Sequence, residues 1–265
     1  MTLAQYATPD NGNVGWDAMI ASDDVHAADW IRDRLHPFAQ DVGSVVPRGF
    51  DAYARIFHPA WRRGDGDQIE VRWSEVAAWS GREVHPEMQF HSIAVPAPGR
   101  QSGPAPWSFE PRLGVLPLRQ VSAMVGMLAR HTSTPDSCWF CLWDGYGYLT
   151  GGRAVAYFFA GETGVTRPSV TPRPPTLKKS RVRLPGRDYL LFTGAVAQGE
   201  GWDDGPNLWW PDDRSWCVAS EIDFPYTYVG GPSELIDEVL SHPLLEALPA
   251  TIDHGITAYS DLINT

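Results

Sequence analysis

The stretch GEGWDDGPNLWWPDDRSWCVASEIDFPYTY, residues 199–228, decides how this chain is read. It holds four of the chain's twelve tryptophans: Trp202, Trp209, Trp210 and Trp216. Seven acids are interleaved with them (Glu200, Asp203, Asp204, Asp212, Asp213, Glu221 and Asp223), against the single base Arg214. Within it, Trp216–Ile222 reads as a strand. Cys217, Ala219, Glu221 and Asp223 fall on one side and Val218, Ser220, Ile222 and Phe224 on the other, because successive strand side chains alternate.

Similar runs lie on both sides. Asp51–Pro59, Ile69–Trp73, Met88–Val95, Cys138–Trp143, Ala154–Ala160 and Tyr189–Val196 all read as strands, with Arg63–Asp67 as a turn before the second arm of a hairpin. Helical spacing covers His26–Phe38, Ser74–Trp79 and Leu118–His131, whose stripe is Leu118, Val121, Val125 and Leu128. A last helix opens at Gly231-Pro-Ser-Glu and carries Leu235, Ile236, Val239 and Leu240. Strands outnumber helices without β-α-β alternation. The expected fold is α+β, a mostly antiparallel sheet with a few peripheral helices. The Pro-rich residues 96–111 suggest a connection between an N-terminal part (1–95) and a C-terminal part (112–265), which one compact domain would also accommodate. The Pro- and Arg-rich residues 161–187 read as a long loop.

The 265 residues carry a formal charge of −11, unevenly spread. Residues 1–95 sum to −6, residues 96–199 to +7 and residues 200–265 to −12. This acidity argues against nucleic acid as a partner, since phosphates recruit Lys and Arg. No apolar run is long enough for a membrane span, and the first residues lack a secretory pattern. Three cysteines fit a reducing cytoplasm.

Motifs of catalysis are sparse. Cys138-Trp-Phe-Cys141 has C-x-x-C spacing, but on a strand the two thiols point to opposite faces, so two buried core cysteines are expected. His85, Glu87 and His91 would share a strand face yet lack a fourth ligand, so no metal is assigned, and no cofactor motif is present. His131, followed by Thr132, Ser133, Thr134 and Asp136, reads as a helix end. Glu221 and Asp223, with His131 or another histidine, are the candidates for an enzyme such as a hydrolase. The leading reading is a non-enzymatic binding protein of immunity or regulatory type. Its acidic, Trp-rich face at Trp202, Asp203, Asp204, Trp209, Trp210, Asp212 and Asp213 would meet a basic protein partner.

Two motifs carry a resemblance: CWFCLWDGYG (138–147), and the WCVASEIDF run within residues 207–231. From about Leu116 to Leu248 the chain resembles an uncharacterised family of bacterial cytosolic proteins, which implies a cytosolic protein and brings no established activity and no catalytic residues. More loosely, an acidic α+β chain with Trp-rich strands resembles immunity proteins of the SUKH type, which implies binding to a toxin domain.

Overall fold

A computed structural model describes residues 20–65, 67–150, 179–202 and 205–265. Its strands are β1 (Ile20–Ser22), β2 (Ala52–Phe57), β3 (Ala60–Arg63), β4 (Gln68–Val71), β5 (Cys138–Trp143), β6 (Arg181–Leu184), β7 (Arg187–Gly194), β8 (Leu208–Pro211), β9 (Cys217–Ala219), β10 (Tyr226–Gly231) and β11 (Ala247–Ala250). The helices are α1 (Asp29–Arg32), α2 (Trp73–Ser80), α3 (Phe90–Ile93), α4 (Leu118–Arg130) and α5 (Ser233–Ser241).

Nine strands form one sheet in the order β1-β7-β5-β8-β9-β10-β2-β11, with β6 continuing the edge of β7 that β1 begins. Every pairing is antiparallel. The fold is therefore α+β with a mostly antiparallel sheet. β2 comes from the first hundred residues and lies between β10 and β11 from the last forty, so one sheet is built from both parts of the chain.

The sheet is covered on both faces. On one face α4 and α5 pack over Cys138, Phe140, Leu142, Phe192, Trp209, Trp216, Val218 and Val229. On the other, α1, α2 and α3 pack with Cys141, Leu191, Trp210, Cys217, Tyr226 and Tyr228. Neighbouring residues thus enter different cores: Trp209 and Trp210, adjacent in sequence, are 3% and 1% exposed on opposite sides. Cys138 and Cys141 divide the same way, both buried and unbonded. Trp139 and Trp143 lean on the face away from α4, so the helix meets Cys138, Phe140 and Leu142.

Several elements differ from the reading of the sequence. Met88–Val95 is not a strand. Phe90 and Ile93, three apart, are both buried, and Ser92, Ile93 and Ala94 donate to the carbonyls of Gln89, Gln89 and Phe90, closing a helical turn. The partner of β4 is β3, because Pro59 lacks a ladder donor and ends the β2 run. Residues 181–187 are not loop. Pro185-Gly186 turns β6 into β7, and Gly186 has φ +79°, the conformation required at the third position of a type II turn. Leu118 is exposed, and the buried stripe of α4 runs through Met124, Val125, Met127 and Leu128. His26–Phe38 shortens to one 3₁₀ turn and α1. The expected strand Ala154–Ala160 lies outside the described residues. Among the described residues no helix is long and apolar enough to cross a membrane.

Phe140 is fully buried in a central strand beneath α4, 5.8 Å from Trp209. Phe140→Ala should lower unfolding free energy in a urea titration by about 3–5 kcal/mol. A loss comparable to that of an exposed-site substitution would show that the helix does not press on β5. Burial raises the pKa of all three thiols, that of Cys138 to about 12. A thiol reagent should therefore label none of them until denaturant is added, and rapid native labelling would disprove their burial.

Candidate functional site

Between the end of β9 and the start of β10, residues 220–225 carry the chain over the end of the sheet. Residues 110–114 run alongside. Gly114 donates to the carbonyl of Phe224 at 2.9 Å, and a β-carbon there would come within 3.0 Å of the Ile222 backbone, so glycine permits the approach. Here a hollow of about 240 Å³ opens, lined by Phe90, His91, Glu110, Asp223, Phe224 and Tyr226 among others. Phe224 and Tyr226, two apart in sequence, stack with centroids 5.0 Å apart. No lysine or arginine is among the described lining residues.

Two buried polar groups support this hollow from beneath. Arg55, on β2, is 1% exposed and lies 3.6 Å from the centroid of Tyr226, with Phe57 and Trp73 at 4.9 and 5.9 Å. Its Nη1 donates to the Pro86 carbonyl, while among the described residues Nε and Nη2 make no hydrogen bond of ordinary geometry. Among the described residues no carboxylate forms an ion pair with it, so aromatic faces supply the compensation. Tyr226 donates its hydroxyl to the Ile256 carbonyl at 3.0 Å, which fixes the ring and brings residues 256–258 to the hollow's edge.

The second group is His58, fully buried. Its Nδ1 lies 2.7 Å from the Arg112 carbonyl, which can only accept, so Nδ1 carries the proton. Nε2 then accepts from Thr227 Oγ1 at 2.9 Å, and Thr227 in turn accepts from Ser220 Oγ at 2.7 Å. This chain clamps the 110–114 wall onto β10. Burial lowers the His58 pKa, and the hydrogen bond to Arg112 offsets it only in part, leaving it at about 4.

The residues singled out in the sequence do not converge. Trp209 and Trp210 are core residues and present no surface, because both sheet faces are covered. Trp202 is half-buried, edge-on to Phe192 at 5.3 Å. Asp203 and Asp204 lie outside the described residues. Asp212 and Asp213 are exposed. Asp212 accepts from Trp139 Nε1, and Asp213 accepts from the backbone and hydroxyl of Ser133 and the backbone of Ser215. For Asp213 partial burial is opposed by these bonds, which win and hold its pKa at about 2.

Glu221 and Asp223 leave the common strand face expected of them, since β9 ends at Ala219. Glu221 is buried and takes Arg187 Nη2 at 2.5 Å; Asp223 is 70% exposed and lies 3.3 Å from the same nitrogen. His131 pairs with Glu238, tying α4 to α5 away from both. His91 and Asp223 line one hollow, but no hydrogen bond among the described residues joins them. His85 donates to Asp261 instead of sharing a ligand set with Glu87 and His91. His36, Asp41 and Asp253 have ligand-type atoms within 4.8 Å, with His36 hydrogen-bonded to Asp41 and Asp41 capping the turn at Ser44. Glu110, Phe224 and Tyr226 were not singled out by sequence. Glu110 sits among prolines read as a connection, and no local pattern marks it as lining a hollow with Asp223. Compared with known proteins, the chain matches no family model, no curated protein and no solved structure.

The folded His58 titrates at about 4 against an ordinary 6.5. Between those values the unfolded chain binds the extra proton, so stability is complete above pH 6.5 and falls as pH drops toward 4. The shift corresponds to about 3 kcal/mol. In urea titrations wild type should lose about that much more than His58→Asn between pH 7 and pH 4. Equal losses would mean His58 is not buried neutral.

Proposed function

We propose that this chain is a non-enzymatic binding protein, of immunity or regulatory type, whose acidic aromatic hollow receives a basic side chain of a protein partner. The observation that carries the reading is the hollow of about 240 Å³ lined by three aromatic rings and by the carboxylates of Glu110 and Asp223, with no lysine or arginine in its described lining and Arg187 reaching the exposed Asp223 from outside it at 3.3 Å. A guanidinium or ammonium group entering it would meet Phe224, the half-buried ring of the three, along its stem and carboxylates at its head. The charge of −12 over residues 200–265 would draw such a partner in. The aromatic element of the face is thus Phe90, Phe224 and Tyr226 in place of the buried tryptophans. The alternative of a hydrolase using Glu221 and Asp223 has less support, since Glu221 is taken by Arg187 and no hydrogen bond among the described residues joins a histidine to it.

The test uses a fluorescein-labelled peptide of alternating arginine and glycine, followed by anisotropy. Glu110→Gln with Asp223→Asn should weaken binding roughly tenfold or more, as expected for loss of charge-assisted hydrogen bonds. Asp212→Asn with Asp213→Asn removes the same charge elsewhere and should leave affinity within about twofold, and wild-type binding should weaken as salt rises. Loss only in the Asp212/Asp213 variant would move the partner surface to residues 212–213. Equal loss in both would reduce the effect to bulk charge and overturn the hollow as the site.

A further inference from the structure

Residues 257–265 are folded inside out. Asp261 and Asn264 are 5% and 4% exposed, whereas Tyr259, Leu262 and Ile263 are 88%, 79% and 53% exposed. The polar pair is fully used. Asp261 accepts from His85 Nε2, the backbone of Gln89 and the side chain of Asn264. Asn264 makes reciprocal bonds with the backbone of Glu83 at 2.8 and 3.0 Å. Anchored in this way, the segment cannot roll its apolar side chains inward. Arg82 bridges the carbonyls of Val95 and Thr265, which sets Val95, 56% exposed, beside the same surface. Large outward apolar side chains on a rigid backbone are the pattern of an interaction surface.

This surface is continuous with the hollow. Ile256 and Ala258 line the hollow just before Tyr259, and Gln89, also in its lining, donates to Ser260. We infer that the hollow and the outward row Tyr259, Leu262 and Ile263 form one docking surface for a protein segment in which a basic residue is flanked by apolar ones. The inference rests on the hollow being the basic-residue site. Charge complementarity selects this occupant over a second copy of the chain, because the rim supplies carboxylates and the chain's net charge is −11.

Two labelled peptides separate the parts of the claim, one alternating arginine with glycine and one alternating arginine with leucine. Wild type should bind the arginine–leucine peptide about tenfold more tightly. Leu262→Ser with Ile263→Ser should abolish that advantage while leaving arginine–glycine binding unchanged, and circular dichroism should show an unaltered fold, since both side chains are exposed. If the advantage is absent, or survives in the variant, the docking row is wrong while the hollow stands on its arginine–glycine result. If Glu110→Gln with Asp223→Asn leaves both peptides bound as before, the hollow reading fails as well. Sedimentation that shows a wild-type dimer converted to monomer by Leu262→Ser with Ile263→Ser would assign the row to a second copy and overturn the inference.

Discussion

Burial of the central sheet on both faces is the constraint from which the rest of the structure follows. An antiparallel sheet with one wet face can place polar residues at alternate positions, but this one cannot. Every residue of β10, from Tyr226 to Gly231, is buried, and so is every residue of β8 and β9. Any polar group on these strands must find its partner inside. Thr227 does so through Ser220 and His58, and on neighbouring β2 Arg55 does so through rings and a single carbonyl. A buried cation without a carboxylate carries a large desolvation cost, and its retention beneath Tyr226 couples the core to the floor of the hollow.

The same constraint explains what could be read from the sequence. α4 and α5 were legible because each has a single buried stripe at helical spacing, and β5 because six apolar residues in a row, from Cys138 to Trp143, suit a strand covered on both sides. The opposed orientations of Cys138 and Cys141 followed from the period of two alone. The tryptophans misled for a related reason. Trp209-Trp210 beside Asp212-Asp213 looks like an aromatic acidic surface, but the pair fills two cores while the acids sit just past the strand's end. Local sequence does not show whether a strand has one covered face or two.

The candidate site was less legible still. Glu110 and Asp223 are 113 residues apart, and what brings them together is the approach of Gly114 to Phe224 and the clamp from His58 to the Arg112 carbonyl. Each bond joins a side chain or amide to a backbone group of a distant segment, and backbone groups carry no residue-specific signal. The proline-rich stretch 96–111 is an ordered wall rather than slack chain. Trp107 packs on Trp79 and Phe90, and Arg100 holds the carbonyls of Ala78 and Trp79. Proline density marked the absence of regular structure there, which is a different property from the absence of fixed position.

β11 lies at one margin of the sheet and contains Pro249, paired across from Ala54. Proline offers no N–H, so the outer side of this strand cannot present a full row of donors to an incoming chain. The margin is only four residues long, which shortens any template further. Growth of this sheet by strand capture, the route by which exposed margins seed fibrils, is therefore obstructed by a covalent ring at that end, independently of the repulsion between acidic copies.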